Sequence, residues 1–195
     1  MYLDIIRDTI EKEIKAIKLL FHNLDEEYEL VCKEIHGRKG KVVFMGVGKS
    51  GHIGKKLAAT FASTGTPSFF VHATEAVHGD SGMIEKEDIV ILLSNSGNTV
   101  EVINVLPILK AIGCKTIGFT SNKDSLLAKN CDYKLIYPKC EEADHLGLAP
   151  TSSSTMMLVL GDGIACALSI AKDFKREDFH KYHPGGSLGK LLKGE

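Results

Sequence analysis

The sequence has 195 residues, of which 44% are hydrophobic and 25% charged, and its formal net charge is −1 at pH 7. That length and composition are typical of one globular domain with a full hydrophobic core. A charge this close to zero, without a basic stripe, argues against nucleic acid as a partner.

The first predicted elements are two amphipathic helices within residues 2–36, separated near Asn23. Their apolar residues recur at helical spacing, at Leu3, Ile6, Ile10, Ile14, Ile17, Leu20, Leu24, Tyr28, Val31 and Ile35. We expect residues 1–38 to pack on the core or on a partner subunit, and residues 39–195 to form one domain. Asp4, Asp8 and Glu11 do not fit a secretory signal peptide.

A glycine-rich turn follows the first predicted strand, in the segment Val42–Gly51 (Val-Val-Phe-Met-Gly-Val-Gly-Lys-Ser-Gly). A strand, a glycine turn and a helix in succession expose backbone N–H groups and the positive end of a helix, which favours an anion such as phosphate. A nucleotide-hydrolase P-loop does not fit, because Val43 stands where its first glycine would be.

The same turn matches the Gly-x-Gly-x-x-Gly dinucleotide fingerprint. That fingerprint also requires an acidic residue about 20 positions later, at the end of the second strand. Here the second strand ends at His72, and the next acid, Glu75, lies further on. A dinucleotide site is therefore the weaker alternative, while a tight turn without a ligand would leave Lys49 unexplained.

From residue 41 onward, short apolar strands alternate with helical patterns. The predicted strands are Lys41–Met45, Ser68–Val71, Ile89–Leu93, Thr116–Phe119 and Tyr133–Ile136, and the helices between them are His52–Ser63, Val100–Ile112 and Ser125–Lys129. This alternation predicts an α/β fold, a three-layer αβα sandwich with a five-stranded parallel sheet. A later apolar run, Thr155–Ala171, contains Asp162 and predicts a buried core helix rather than a membrane span.

Two clusters of small polar residues open predicted helices. Ser94–Thr99 (Ser-Asn-Ser-Gly-Asn-Thr) follows the third strand, at the edge where parallel sheets bind ligands. Thr151–Ser154 precedes the apolar helix and would hold the far side of the same phosphate. Capping a helix needs only one or two such residues, so the number of hydroxyls and amides favours an oxyanion cradle.

Four segments together resemble the sugar isomerase (SIS) domain and, within it, the arabinose-5-phosphate isomerases. They are Gly46–Gly51, Ser94–Gly97, Gly147–Ser152 and the run His-Pro-Gly-Gly-Ser-Leu-Gly that begins at His183. The resemblance implies an enzyme that interconverts D-ribulose 5-phosphate and D-arabinose 5-phosphate, in the route to Kdo and hence lipopolysaccharide or capsule. Members often continue into paired CBS domains; this sequence ends at Glu195, and we expect no regulation through such domains.

Moving a carbonyl between C1 and C2 of a sugar phosphate requires ring opening, a carboxylate that shuttles a proton and a group that stabilises the enediolate oxygen. The resemblance implies four catalytic residues for these tasks: Lys49, Glu101, Glu142 and His183. Lys49 would neutralise the enediolate or the phosphate. His183 would assist ring opening, supplied across a subunit interface.

The proton-transfer role is expected of Glu142, with Glu101 as the alternate. Without the resemblance, Glu141 and Asp144 would compete equally with Glu142. An acid in the first turn of a helix, such as Glu101, is otherwise more often a partner of the helix dipole.

The substrate-binding residues that the resemblance implies are Gly48, Ser50, Gly65, Thr66, His78, Ser94, Asn95, Ser96, Thr99, Thr151, Ser152 and Ser153. No redox cofactor or obligatory metal is expected. His72 matches a metal position of relatives, so zinc is expected only as an optional, inhibitory ligand. Asn98 stands where many relatives have glutamate, which bears on substrate preference.

The partners expected from the sequence are a small-molecule sugar phosphate and further copies of the chain, with no nucleic acid and no membrane. Shared active sites and the amphipathic N-terminal helices favour a homo-oligomer, a tetramer or a dimer. Five scattered cysteines without a Cys-x-x-Cys pair favour a reducing cytoplasm. Two alternatives remain open: a non-catalytic regulator that binds a sugar phosphate, and an isomerase of a hexose or heptose phosphate.

Overall fold

A parallel sheet of five strands forms the centre of the structure, a computed structural model that describes residues 1–183. The strands are β1 (Val42–Gly46), β2 (Ser68–His72), β3 (Ile89–Leu93), β4 (Lys115–Thr120) and β5 (Tyr133–Ile136). Their order across the sheet is β2-β1-β3-β4-β5, and all neighbouring pairs are parallel. Residues 184–195, including the rest of the motif that begins at His183, lie outside the described residues.

Alternate residues of the central strands enter two separate hydrophobic cores. Phe44 of β1 and Ile91 of β3 belong to one core, while Met45 and Leu92 belong to the other. All residues of β1 and β3 are buried. Because successive side chains of a strand point to opposite faces, a strand that is apolar throughout needs a covering layer on each side.

Helices form those two covering layers. The longer helices lie on one face: α1 (Tyr2–His22), α2 (Glu26–Gly37), α3 (Gly48–Ser63) and α8 (Ser152–Ala171). Shorter helices lie on the other face: α4 (Ala73–Ala76), α5 (Val100–Ile103), α6 (Leu106–Ile112) and α7 (Leu126–Asn130). A 3₁₀ turn (Asp80–Met83) and α9 (Arg176–Tyr182) complete the described elements. The predicted three-layer αβα sandwich is confirmed.

Helix α8 runs through the first layer, and the prediction of a buried core helix is confirmed. Met156, Leu160, Ile164 and Leu168 are buried on the side that contacts α1 and α3. By length and composition alone α8 would be long and apolar enough to cross a membrane, a property that it shares with core helices of soluble proteins.

Two helices differ from the sequence prediction. The segment predicted as one helix, Val100–Ile112, forms α5 and α6 with a break between them. Pro107 accounts for the break, because it has no N–H to donate to the carbonyl of Ile103. Helix α3 begins at Gly48 rather than His52, so the glycine-rich turn is largely the first turn of this helix.

Helix α1 packs on the core with its second half only. Ala16 and Leu20 are buried, whereas the first ten residues are exposed except for Thr9. One face of the exposed part carries an apolar row: Leu3 (57% exposed), Ile6 (54%), Ile10 (52%) and Ile14 (45%). A helix of 21 residues is about 31 Å long at 1.5 Å per residue, so its first half extends past the core on which the second half packs.

The order of the strands leaves a crevice above β1 and β3. From β1 the chain passes through α3 to β2 on one side, and from β3 it passes through α5 and α6 to β4 on the other side. The loops that follow these two strands therefore diverge, and such a crevice at the carboxyl ends of parallel strands is where α/β sheets bind ligands.

Candidate active site

The loop after β3, Ser94–Thr99, is closed by its own polar groups. The hydroxyl oxygens of Ser94 and Thr99 lie 2.7 Å apart, and the Gly97 N–H donates to Ser94 Oγ over 3.1 Å. Ser94 is buried, whereas Ser96 is exposed and accepts a hydrogen bond from the Asn98 N–H over 3.2 Å. The loop thus keeps one hydroxyl inside its turn and presents another to solvent.

Residues at the end of β4 and in the loop that follows it hydrogen-bond to the Ser94–Thr99 loop. Thr120 Oγ1 and Ser121 Oγ both donate to the carbonyl of Asn95, at 3.0 and 2.9 Å. Further along, the Leu126 N–H donates to Asn98 Oδ1 over 2.9 Å. The Asn98 side chain therefore binds the backbone at the start of α7.

Glu142 closes the N-terminal end of α8. Its Oε2 accepts hydrogen bonds from the N–H of Thr151 (2.8 Å), the hydroxyl of Thr151 (3.2 Å) and the N–H of Ser153 (3.2 Å), and its Oε1 accepts from the Ser153 hydroxyl. The first N–H groups of a helix have no partner within the helix, and here a half-buried carboxylate from the preceding loop supplies one. Ser152 Oγ, beside them, is buried and has no hydrogen-bond partner among the described residues.

A cavity of ≈ 730 Å³ joins these two groups of residues. Its walls include Asn95 and Ser96 from the loop after β3 and Glu142 from the loop before α8. The structure thereby brings the predicted phosphate loop and the predicted base to one space. Donors on one wall and a fixed carboxylate on another suit an anionic ligand next to a proton acceptor.

Lys49, Gly48 and Ser50 form the first turn of α3, at the end of β1. Lys49 is exposed, and it takes part in none of the ion pairs found among residues 1–183. It lies at the ligand-binding edge of the sheet but not on the walls of the ≈ 730 Å³ cavity.

Three other acidic residues were candidates for proton transfer. Glu101 is exposed in the first turn of α5, and Glu141 is exposed beside Glu142. Asp144 accepts hydrogen bonds from the N–H groups of Leu146, Leu148 and Ala149. Partial burial raises the pKa of the Asp144 carboxyl, but those N–H groups outweigh it and hold that pKa below its ordinary value. Asp144 is thus occupied in shaping its own loop.

His72 is the last residue of β2 and His78 follows α4, so the two lie on either side of that helix. His72 Nδ1 accepts a hydrogen bond from the Thr74 N–H over 3.3 Å, and His78 is exposed. Within residues 1–183 no three His, Cys, Asp or Glu side chains are grouped closely enough to hold a metal ion. A zinc ion needs about four ligands, so His72 of a single chain does not fit a zinc site, and no step is assigned to a metal.

Gly65 and Thr66 lie at the opposite edge of the sheet, before β2 begins. Lys172 Nζ donates to Thr66 Oγ1 (2.8 Å) and to the Gly65 carbonyl (3.4 Å). The ring of Phe174 fills the space next to Gly65, with Cδ2 only 2.4 Å from where a Cβ would lie. Within one chain the structure does not bring these two residues together with the other predicted binding residues.

His183 lies at the end of α9, apart from the cavity. Its ring stacks on Phe179, with centroids 4.0 Å apart and 10° between the planes, and its Nδ1 lies 3.1 Å from the Phe179 carbonyl oxygen. It does not line the cavity that contains Glu142. One chain therefore places Glu142 with the loop after β3 on the walls of one cavity, and His183 is not among the residues of those walls.

Several residues around the cavity were not predicted from the sequence. Lys12 of α1, which also pairs with Asp8 over 2.8 Å, and Lys139 lie on its walls. Tyr137 is buried behind it, and its hydroxyl donates to Asn95 Oδ1 over 2.8 Å. Lys12 belongs to the polar face of an amphipathic helix and Tyr137 follows the end of a strand, so neither carries a local sequence signal for this role.

Comparisons with known proteins find relatives over most of the chain. The family profile described as "SIS domain" matches residues 34–167. Arabinose 5-phosphate isomerase KdsD of Pseudomonas aeruginosa is 50% identical over 184 residues, which is 94% of this chain and 56% of that protein. The protein of the same name from Escherichia coli K12 is 47% identical over 186 residues, which is 95% of this chain and 57% of that protein. The chain thus spans little more than half the length of these curated relatives.

A solved structure covers nearly the whole chain. A protein of E. coli CFT073, solved in complex with arabinose 5-phosphate, superposes with a TM-score of 0.92 at 52% sequence identity, covering 94% of this chain and 97% of that one. The resemblance inferred from the four sequence segments is confirmed.

Proposed function

This chain belongs to the SIS domain family, and from that premise we propose that it is an aldose–ketose isomerase that interconverts D-ribulose 5-phosphate and D-arabinose 5-phosphate. Relatives about half identical to it bear the name arabinose 5-phosphate isomerase, and a structure at 52% identity contains arabinose 5-phosphate. The observation that carries the proposal is the shared cavity of the Ser94–Thr99 loop and Glu142.

The phosphate of the substrate binds against the loop after β3. Ser96 offers an exposed hydroxyl there, and the loop is already held in place by the hydrogen bonds from Thr120 and Ser121. A preformed set of donors binds an oxyanion without having to order the loop at that moment. Lys12 and Lys139 add positive charge to the same cavity.

Glu142 transfers the proton between C1 and C2. Three donors occupy Oε2, while among residues 1–183 Oε1 accepts a hydrogen bond from the Ser153 hydroxyl alone. A carboxylate oxygen has two lone pairs, so Oε1 keeps one free to take the proton from one carbon and return it to the next. Because the other oxygen is fixed by α8, the free lone pair keeps one direction during the transfer.

Neither a redox cofactor nor a metal enters this mechanism. The carbonyl and the alcohol exchange places within one molecule, so no external oxidant or reductant is consumed. We assign to Lys49 the stabilisation of the enediolate oxygen or the phosphate by its charge, which requires its exposed side chain to reach the substrate from the end of β1, outside the walls of the cavity.

His183 supplies the acid–base group for ring opening from a second copy of the chain. Two features support this placement: His183 lies apart from the cavity of its own chain, and the apolar row of α1 is exposed. We place the enzyme in the cytoplasm, where its five cysteines stay free as they are in the structure, and its product in the supply of Kdo for lipopolysaccharide.

Deuterium incorporation tests the proposal directly. The enzyme is incubated with ribulose 5-phosphate in D₂O, and the arabinose 5-phosphate formed is examined by NMR for deuterium at C2. We expect incorporation that persists in EDTA and falls by at least about 100-fold in Glu142→Gln, the usual scale for loss of a general base.

Glu141→Gln is the matched control, since Glu141 is the exposed neighbour of Glu142 and lines the same cavity, but accepts no hydrogen bond from the start of α8 among the described residues. It should incorporate deuterium at the wild-type rate. Tight binding of the sugar phosphate without any deuterium exchange would contradict the isomerase proposal and favour a regulator that binds the sugar phosphate without converting it. Exchange with a hexose phosphate but not with ribulose 5-phosphate would correct the substrate.

A further inference from the structure

Tyr137 stands directly behind the cavity wall formed by Asn95. It follows β5, is fully buried, and its ring packs edge-on against Phe119 with centroids 5.7 Å apart. Its hydroxyl donates a hydrogen bond of 2.8 Å to Asn95 Oδ1. No sequence motif includes this tyrosine, and the mechanism above does not use it.

The burial of Tyr137 determines which way its hydrogen bond runs. Burial raises the pKa of the Tyr137 phenol far above its ordinary value, with smaller contributions from Cys140 and Glu142, so the hydroxyl keeps its proton. Among the described residues, Asn95 Oδ1 is the acceptor that the hydroxyl reaches. If the carboxamide were turned over, its NH₂ would face the hydroxyl and the buried phenol proton would lose its partner, which is costly.

The carboxamide of Asn95 is consequently held with its nitrogen away from Tyr137. Nδ2 has two N–H donors, and no hydrogen bond to another described residue uses them. Since Asn95 lies on the wall of the cavity that also contains Glu142, these donors are available to a ligand there.

The backbone of the loop does not need Tyr137. Thr120 and Ser121 already fix the carbonyl of Asn95, and the Ser121 N–H donates to the same oxygen over 3.1 Å. What Tyr137 adds is the orientation of one side-chain amide. This separates a positioning role from a general contribution to folding.

We propose that Tyr137 is a positioning residue that orients the Asn95 carboxamide so that its two N–H donors face an anionic oxygen of the sugar phosphate. The proposal rests on the proposed function, because it assumes that the cavity receives that substrate. An amide turned the other way would present a carbonyl oxygen to the anion and repel it.

A double-mutant cycle tests this inference through kcat/KM for the isomerisation. Asn95→Ala should lower kcat/KM by about 10- to 100-fold, the range for losing a hydrogen bond to a charged group. Tyr137→Phe should lower it by about 10-fold. In the Asn95→Ala background, Tyr137→Phe should have no further effect, because its target is gone. Effects of the two changes that multiply would overturn the proposal, as would an unchanged kcat/KM in Tyr137→Phe.

Two further variants separate positioning from folding. Tyr28→Phe removes another buried phenol hydrogen bond, to the carbonyl of Ile136 on β5; it should lower the melting temperature as Tyr137→Phe does and leave kcat/KM unchanged. Asn95→Asp keeps an acceptor for Tyr137 but replaces the two donors with an oxygen, and should lose more activity than Asn95→Ala. A smaller loss in Asn95→Asp would contradict the assigned direction.

The affinity for arabinose 5-phosphate, measured by calorimetry on the same variants, keeps the two proposals apart. If wild-type protein binds the sugar phosphate without turning it over, the isomerase proposal fails and the cycle is evaluated on the dissociation constants. If wild-type protein isomerises but Tyr137→Phe and Asn95→Ala act independently, only the inference about Tyr137 fails.

Discussion

Three acidic residues follow β5 within four positions, and their surroundings separate them. Glu141 is exposed, and Asp144 is bound by N–H groups of its own loop. All three line the cavity beside the loop after β3, but among the described residues Glu142 is the one that accepts hydrogen bonds from the start of α8. The sequence alone does not distinguish the three acids, because they are of similar type and lie in one short segment. Which of them could transfer a proton depends on contacts between segments that the fold brings together.

Gly97 is required by the shape of the loop after β3. Its φ is +67°, and a Cβ there would lie 2.1 Å from Ser125 Oγ and 2.7 Å from Thr120 Oγ1. A left-handed conformation costs a residue with a Cβ about 1–2 kcal/mol, and the clash adds to this. We expect Gly97→Ala to lower the free energy of unfolding by about 2–4 kcal/mol and kcat/KM by at least about 10-fold, measured by urea denaturation and by the isomerase assay.

Gly113→Ala provides the control for Gly97→Ala. Gly113 also has a positive φ, +82°, but the nearest atom to its Cβ position is 3.8 Å away. This change should therefore cost only the conformational part, about 1–2 kcal/mol, with kcat/KM unchanged. Equal losses of activity in the two variants would mean that the shape of the Ser94–Thr99 loop does not matter for the reaction.

At the scale of elements, the first half of α1 is left uncovered by the rest of residues 1–183. Its exposed row of Leu3, Ile6, Ile10 and Ile14 fits a second copy of the chain, because isolated exposed apolar residues are common but contiguous rows mark contacts. We expect Ile10→Lys to lower the mass of the oligomer measured by light scattering, and to reduce kcat/KM by at least about 10-fold if His183 is shared between copies.

Glu11→Gln changes the net charge by the same amount one residue further along the helix, where the side chain is also exposed. It should leave both the mass and the activity at the wild-type level. If Ile10→Lys keeps the wild-type mass, the row on α1 does not form the subunit contact.

Elements with one repeating pattern were predicted well, and interrupted ones were not. Ile89–Leu93 was predicted with its observed bounds, because a strand buried on both faces is apolar throughout. The break between α5 and α6 was missed because the apolar residues on either side of Pro107 keep helical spacing. Helices α4 and α9, of four and seven residues, are too short for a periodic signal.

At the scale of the whole molecule, buried and half-buried thiol and phenol groups should make the stability of the fold decrease at high pH. Burial raises the pKa of Cys131 to about 12 and that of Cys114 to about 11, both from an ordinary value of 9.0, and it raises the pKa of Tyr28 from 10.0 to about 12. The folded state therefore holds these protons more tightly than the unfolded chain. Their contribution to stability is complete below about pH 9 and is lost as the pH rises toward 11 to 12. We expect the melting temperature to fall steadily between pH 9 and pH 10.5.

Cys131→Ala removes one of these groups. Its melting temperature should be lower than wild type at pH 8 but should decline less between pH 9 and pH 10.5, as followed by circular dichroism. A melting temperature that stays constant over that interval in the wild type would contradict the burial of the thiols.

The arrangement of the strands also shows which predicted site residues the sequence could not place correctly. The order of strands placed Lys49, Ser94 and Glu142 at one edge, as the alternation of strands and helices predicted. Gly65 and Thr66 lie at the far edge of the sheet, held by Lys172. A sequence motif indicates what a residue binds. The fold decides which of these residues lie close together within one chain.

The hydrogen bonds from Thr120 and Ser121 to the carbonyl of Asn95 fix the Ser94–Thr99 loop, which we propose binds the phosphate, before any ligand arrives. A site whose donors are already in position binds the phosphoryl group even when the rest of the sugar is absent. Free inorganic phosphate should therefore compete with the sugar at modest concentrations, and compounds that share only the phosphoryl end are a rational starting point for inhibitors.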